Sequence, residues 1–270
     1  MKKLVLFPIF ALFLSYFALT QNSQDSTAVS TEDLQKAAQN PLADMVSIPF
    51  RSDNYFNMGP NGDRTGSVLN MQPVIPLFKG KVITRTIIPI SWVPKYSEES
   101  GTDFGMGDIL FSAFYSVKAQ GLTFGAGPVV SIPTSSEMHG SEKWGLGPSV
   151  VGIAMPGRWV LGGVLNNVWS VGGNDENPDV NVMTFQPLIN YNFPGFILTY
   201  SPLITANWNA TSGNEWTVPL GIGVGKLFML GGKLPMMANF AGYNNVVRPD
   251  YSGNWTVSAM AIFLLPTSIF

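Results

Sequence analysis

The sequence contains no cysteine. That excludes a disulfide scaffold, a zinc–thiolate centre, a cysteine nucleophile and a lipid anchor on an N-terminal cysteine. Charge is also scarce. Asp, Glu, Lys and Arg make up 12% of the 270 residues, about half the usual share of a soluble globular chain. The net charge is −2 and there is no basic run, so nothing points to nucleic acid. The single histidine, His139, cannot build a His-rich metal site, and no metal or other cofactor is expected. After residue 20, no apolar run reaches the roughly 20 residues that a transmembrane helix needs.

What the chain does have is 46% hydrophobic residues, 28 Gly, 20 Pro and 12% aromatics. This mixture favours strands and turns over long helices. The N-terminus carries Lys2 and Lys3, then the apolar run 4–19, then small residues Ala18 and Thr20 placed as in a cleavage site before Gln21. The run is too short to span a membrane, so a signal peptide over 1–20 is expected in preference to an anchor. An exported chain that is rich in apolar residues, poor in charge and without a helical span suits an outer-membrane β-barrel. A secreted soluble β-sandwich is the competing reading.

Residues 21–44 read as a flexible segment carrying a short helix, "STEDLQKAAQNP" at 30–41, that could fold inward as a plug. Ser30 is a candidate cap, Glu32 and Asp33 suit the helix dipole, and Asn40 before Pro41 ends the helix. Residues 45–270 divide into about twelve strand-like segments: 45–57, 66–77, 81–93, 104–117, 121–133, 144–155, 158–171, 181–193, 196–207, 215–227, 233–246 and 255–265. Their connections alternate without exception between short ("FKGK", "KAQG", "MPGR", "FPG", "LFMLGGK") and long, polar ones such as "PKYSEESGTD" and "TSSEMHGSEK". This is the pattern of short periplasmic turns and longer external loops in an up-and-down transmembrane barrel. Charge sorts the same way. The long loops hold eleven of the 17 acidic side chains and four basic ones, whereas the short turns hold Lys79, Lys81, Lys118, Arg158 and Lys233 with no acid. A soluble sandwich has no reason to sort charge between its two ends. The expected fold is therefore all-β: a transmembrane antiparallel β-barrel of about twelve strands with a short N-terminal helix.

Alternate residues of a strand share a face. In 181–193, Met183, Phe185, Ile189, Tyr191 and Phe193 oppose Thr184, Gln186, Asn190 and Asn192. An apolar exterior and a polar interior are what hydrocarbon demands, because lipid offers no partner for a polar group. Four charges inside segments, Arg51, Asp53, Arg85 and Asp108, are expected to point into the lumen and pair there, with Arg85 the candidate partner of Asp108. With Gln186 and Asn190 they form the candidate constriction. Prolines 73, 76, 128, 148, 187, 202 and 219 fall inside segments. Proline cannot donate a ladder bond, so bulges or bends are expected at each.

Three stretches, "FGMGD" at 104, "FGAGP" at 124 and "WGLGP" at 144, superficially suggest nucleotide loops, and the first also reads D-F-G. An aromatic followed by a lone G-x-G is weak evidence for phosphate binding, and a kinase needs a catalytic loop and strand lysine that are not apparent. The copies lie near the starts of successive strands. Phe104, Phe124 and Trp144 suit the aromatic girdles of a barrel, while the glycines leave one face bare for bending or for close approach of a plug.

The stretches "NPLADMVSIPF" (40–50), "LNMQPVIP" (69–76), "FGMGDI" (104–109), "GPVVSIPT" (127–134), "GSEKWGLGPSVV" (140–151), "WSVGG" (169–173), "QPLINYN" (186–192), "WTVPLGIGVGK" (216–226) and "RPD" (248–250) resemble bacterial outer-membrane proteins labelled "transporter" or, misleadingly, "neuromedin U". These are related to the MetA-pathway phenol-degradation family. The resemblance covers nearly all of the chain after residue 40. It implies an outer-membrane barrel in contact with lipid, assembled by the barrel-assembly machinery, with a role in transport of small solutes, hydrophobic or aromatic ones among them, and no catalytic residues. A barrel with a filled lumen and a structural role is the alternative. A membrane-embedded lipid hydrolase is less favoured. His139 does precede Ser141 by two residues, as in outer-membrane phospholipase, but the pair falls in a loop beside Gly140 and no nearby Asn is an obvious partner.

Overall fold

The computed structural model describes residues 31–95, 101–136 and 139–265. The expected signal peptide and the segment 21–30 lie outside the described residues.

The described residues form one helix, α1 (Thr31–Ala38), and fifteen strands. The strands are β1 (Val46–Met58), β2 (Arg64–Met71), β3 (Val74–Leu77), β4 (Val82–Pro94), β5 (Thr102–Met106), β6 (Ile109–Ala119), β7 (Leu122–Ile132) and β8 (Lys143–Ala154). They continue with β9 (Trp159–Gly173), β10 (Asn181–Phe193), β11 (Phe196–Tyr200), β12 (Ile204–Asn207), β13 (Trp216–Leu230), β14 (Leu234–Val247) and β15 (Trp255–Leu265). Every neighbour pairs antiparallel, and β1 pairs with β15 from Val46↔Leu265 to Phe56↔Trp255, so the sheet closes on itself. Three spanning strands are each broken in two: β2/β3, β5/β6 and β11/β12. The wall is thus a closed barrel of twelve spanning strands, as the alternation of loops and turns predicts.

The short connections are tight because their residues accept left-handed backbone. Gln120–Gly121 (φ 47° and 80°) is a two-residue hairpin turn with both residues at positive φ, and Gly231 and Gly232 (φ 58° and 71°) begin a three-residue turn. The second case corrects the sequence reading, which began the turn at Leu227. Leu227–Leu230 instead continue β13, pairing with Met237–Leu234, and only Gly231–Lys233 make the turn.

Outward side chains are apolar along the wall, among them Leu146, Val150, Leu165, Ile222, Val224 and Phe240. Phe104 and Trp144 sit exposed at the long-loop rim with Trp169, Trp208 and Trp255, while Phe124, Tyr115 and Trp159 sit exposed at the short-turn rim. These two belts fit the interfaces of a bilayer, where an amphipathic ring meets headgroups. Lys226, the one outward-facing cation in a spanning strand among the described residues, lies 5.6 Å from the ring of Phe228 near the short-turn end.

The prolines behave less uniformly than expected. Pro73 and Pro202 fall where β2/β3 and β11/β12 break, and Pro219 adjoins a register shift at Val218. Pro76 and Pro187, however, sit within unshifted ladders, opposite Ile83 and Gly163. Pro128 and Pro148 face each other across β7 and β8 in register. The pairing lapses only on their far sides, opposite Ala113–Phe114 and Asn167–Val168. In an antiparallel ladder each N–H points to one neighbour, so a proline removes a bond from one side and need not bend the strand.

At those lapses the second glycine of each motif is required. A Cβ on Gly127 would lie 1.8 Å from the Ala113 carbonyl oxygen, and one on Gly147 1.7 Å from that of Asn167. A Cβ on Gly242, in β14, would meet nothing within 4 Å. Gly147→Ala is therefore expected to destabilise the barrel by about 1–3 kcal/mol, the usual cost of overpacking. Gly242→Ala should lie within about 1 kcal/mol of the parent. Urea titration of the heat-modifiable band on unboiled gels measures both, and equal midpoints for the two variants would refute the assignment.

Candidate functional site in the barrel lumen

The interior has three levels. At the short-turn end, the chain from Thr31 to Asp44 lies inside the wall. Glu32 and Asp33 fall in the first turn of α1 and Lys36 in its last, and Lys36 pairs with Glu32 at 2.9 Å. The side chain of Asn40 accepts from the backbone N–H of Leu42 at 2.8 Å and ends the helical path. One side of α1 is apolar: Ala38 and Leu34 pack against Ile197, Leu227, Met237, Ile262 and Leu264 on β11, β13, β14 and β15. The adjacent side is amide. Gln35 and Gln39 each donate from Nε2 to Asn192 Oδ1, at 2.6 and 2.7 Å. Just beyond the helix, Leu42 is 1% exposed and reaches the other wall, against Val74, Ile83, Phe114, Val151 and Val164. Full burial of such a side chain contributes about 1.5–3 kcal/mol. Segment 31–44 thus touches both walls of the barrel.

At mid-height lies a polar network. Arg51 and Asp53 stand two apart on β1 and so share the inner face; Arg51 Nε donates to both Asp53 oxygens, at 3.0 and 2.9 Å. Both are sealed, at 4% and 1% exposure. Arg51 Nη1 then donates to the carbonyl oxygen of Ser201 at 3.0 Å. On β4, Arg85 Nη2 donates to Gln72 Oε1 at 2.6 Å and to Gln186 Oε1 at 3.3 Å. Gln186 Nε2 donates in turn to the Ser201 hydroxyl at 3.1 Å. In the closed order of strands, β1, β2/β3 and β4 lie on the opposite side of the barrel from β10 and β11/β12. The bonds Arg51–Ser201 and Arg85–Gln186 therefore cross the lumen and form a strut between facing walls.

Two of the wall's breaks supply this strut. Gln72 precedes Pro73 at the gap between β2 and β3, and Ser201 precedes Pro202 at the gap between β11 and β12. Where proline stops the ladder, the backbone turns and its polar groups become free to face inward. The rest of the break remains satisfied: Gln72 N–H donates to the Pro49 carbonyl and Thr86 N–H to that of Pro73.

The third level, at the long-loop end, corrects one expectation. Asp108 does not meet Arg85. It lies at the break between β5 and β6 and accepts from Ser135 N–H (3.2 Å), Ser141 N–H (2.6 Å) and the Ser141 hydroxyl (2.8 Å). The carboxylate is used up by the loop that follows β7, which its three short-range donors hold more readily than a distant guanidinium could. The same loop places His139, 1% exposed at its side chain, over Gly105. A Cβ there would lie 2.3 Å from the imidazole Cδ2 and 2.1 Å from Ser136 Oγ. The bare face of "FGMGD" is thus a seat for a loop, while those of "FGAGP" and "WGLGP" admit neighbouring backbone. His139 Nδ1 is 2.6 Å from Ser91 Oγ and its Nε2 is 3.6 Å from Asp103. The His139–Ser141 pairing suggested by spacing is not formed, because the Ser141 hydroxyl is turned to Asp108. At the same end, the buried Lys143 of β8 bonds Asp179 at 2.8 Å and, with Ser170, holds that exposed carboxyl below the usual carboxylate range.

Of the six residues singled out in the sequence, Arg51, Asp53, Arg85 and Gln186 belong to one network. Asp108 belongs to the loop anchor. Asn190 is buried on the inner face of β10, apart from both, with its Oδ1 unpaired among the described residues. Gln72 and Ser201 were missed; their positions next to Pro73 and Pro202 were the available signal.

Removing one member of a sealed pair strands the other's charge. Asp53→Ala is expected to lower stability by about 3–5 kcal/mol, whereas the double variant Arg51→Met with Asp53→Leu would be close to neutral because both charges go together. Urea unfolding of barrel refolded into lipid vesicles reads both, and a single variant no weaker than the double would sink the claim. Asp108→Ala should abolish hydrogen-exchange protection at the Ser135 and Ser141 amides and leave the β1–β15 seam protected.

No curated protein matches the chain. An outer membrane channel from Pseudomonas putida F1 superposes with a TM-score of 0.56 at 14% identity, covering 91% of this chain and 100% of that one. The NanC porin superposes at 0.51 with 9% identity, covering 81% and 98%. At such identities the likeness concerns the fold. Residues 54–260 match the family described as the MetA-pathway of phenol degradation. A closed twelve-stranded wall with an apolar exterior and two aromatic belts, matched by that family over most of its length, makes this chain an outer-membrane β-barrel belonging to the MetA-pathway phenol-degradation family.

Proposed function

We propose that the protein is a passive channel for small solutes, hydrophobic or aromatic ones among them, without catalytic turnover, and that residues 31–44 restrict it from the short-turn end. The observation that carries this reading is the strut itself. A barrel kept only for its shape could fill its centre with apolar side chains. Here buried charges and amides are concentrated at mid-height and tied across the lumen, although charges removed from water cost several kcal/mol unless paired. Arg85 also keeps contact with solvent deep inside the wall, as expected of a group lining a wet passage. Lipid around the barrel and delivery by the barrel-assembly machinery belong to the same reading.

Segment 31–44 is held by Leu34, Ala38 and Leu42 and by two hydrogen bonds to Asn192. Each neutral hydrogen bond contributes only about 0.5–1.5 kcal/mol net, so most of the docking comes from the apolar contacts of Leu34, Ala38 and Leu42.

Purified protein in planar bilayers is expected to show small conductance, raised severalfold by deleting residues 21–43. If neither form conducts or releases solute from liposomes, the channel reading fails and a structural barrel is favoured.

A further inference from the structure

The mid-lumen network is unbalanced. It contains two guanidinium groups and one carboxylate, and Asp53 is committed to Arg51 through both oxygens. Arg85 has no ion pair among the described residues, and its partners, Gln72 and Gln186, are neutral. A guanidinium carries five N–H donors in a planar fork. Only Nη2 of Arg85 has an acceptor among the described residues, which leaves Nε and Nη1 without one. Arg51 lies close enough to act on Arg85 electrostatically and with the same sign. The nearby carboxylates are spoken for: Asp53 by Arg51, and Asp108, higher in the barrel, by Ser135 and Ser141. Asp103 lies beside His139 at the mouth, and Glu32, paired with Lys36, and Asp33 lie on α1 at the short-turn end.

From this geometry we infer that Arg85, steadied by Gln72 and Gln186, is a station for the carboxylate of a small organic acid on its way through the lumen. The inference rests on the channel reading and narrows its solute class. The free Nε–H and Nη1–H lie on different sides of the guanidinium, and each can give a carboxylate oxygen a charge-assisted hydrogen bond, stronger than a neutral amide offers. Tyr200, next to the strut's Ser201, stands edge to face with Tyr243 at 6.3 Å, so aromatic rings border the strut. The two glutamine oxygens hold the guanidinium by Nη2 and leave the Nε and Nη1 donors for the ligand. The acids of the outer loops oppose anion entry only weakly in physiological salt, where charges more than about 8 Å away are largely screened.

The direct test is ligand-observed fluorine NMR with 4-fluorobenzoate on the full chain in detergent micelles, alongside 4-fluorobenzyl alcohol, which has the same ring without the charge. Benzoate should bind the parent protein better than the alcohol and less tightly as salt rises. Arg85→Gln should weaken it about tenfold or more. Arg248→Gln, in an outer loop, should leave binding unchanged. Arg85→Lys, which keeps the charge but not the two separately placed donors, should fall between and guards against a Gln variant that fails to fold. If benzoate and the alcohol bind alike, or if Arg85→Gln binds benzoate as the parent does, the station does not exist. Binding needs no open pore, so its failure is distinct from failure of the channel reading. Arg85-dependent binding without conductance in bilayers would keep the station and remove the channel.

Discussion

A sheet in hydrocarbon must satisfy every backbone N–H and C=O from within, and the rest of this structure depends on that constraint. It forces closure, through the β1–β15 seam, and it forces the apolar exterior. It also makes each interruption of the ladder consequential. A proline or an aspartate that stops pairing releases polar groups that cannot face lipid. They must turn to the lumen, and there they need partners. The three broken strands are therefore where the interior is organised.

Two breaks feed the strut and one feeds the loop anchor. Gln72 and Ser201, both just before prolines, give oxygens to Arg85 and Arg51; Asp108, just after Gly107, takes the donors of the loop around Ser141. Charge, amide and broken backbone thus compensate one another. The sealed Arg51–Asp53 pair is the fixed part of this arrangement, and Arg85 is the part left with donors to spare. Below it, α1 meets the wall through an apolar side and two glutamines.

Much of the fold could be read along the chain because strand periodicity and turn chemistry are local. Lys79–Gly80, Gln120–Gly121 and Gly231–Gly232 announce hairpins wherever they stand, and an alternation such as that of 181–193 sorts its own side chains between lipid and lumen. The prolines were harder. Pro73 breaks its strand while Pro187 does not, and nothing local separates them. The outcome depends on whether the missing N–H faced a neighbour that could spare it. The same limit applied to Leu227–Leu230, whose place in β13 is fixed by pairing with β14.

The sequence alone determined the number of crossings, the alternation of short and long connections, the apolar exterior and the presence of a few charges that lipid would not tolerate. These follow from periods of two residues and from turns a few residues long. Only the tertiary structure decided which of those charges meet. Arg85 and Asp108 stand on adjacent spanning strands, yet one is drawn across the lumen to Gln186 and the other to a loop that folds down upon Gly105. Closing the sheet brings residues more than a hundred positions apart to hydrogen-bonding distance, and no local pattern encodes which of them will face each other across the middle.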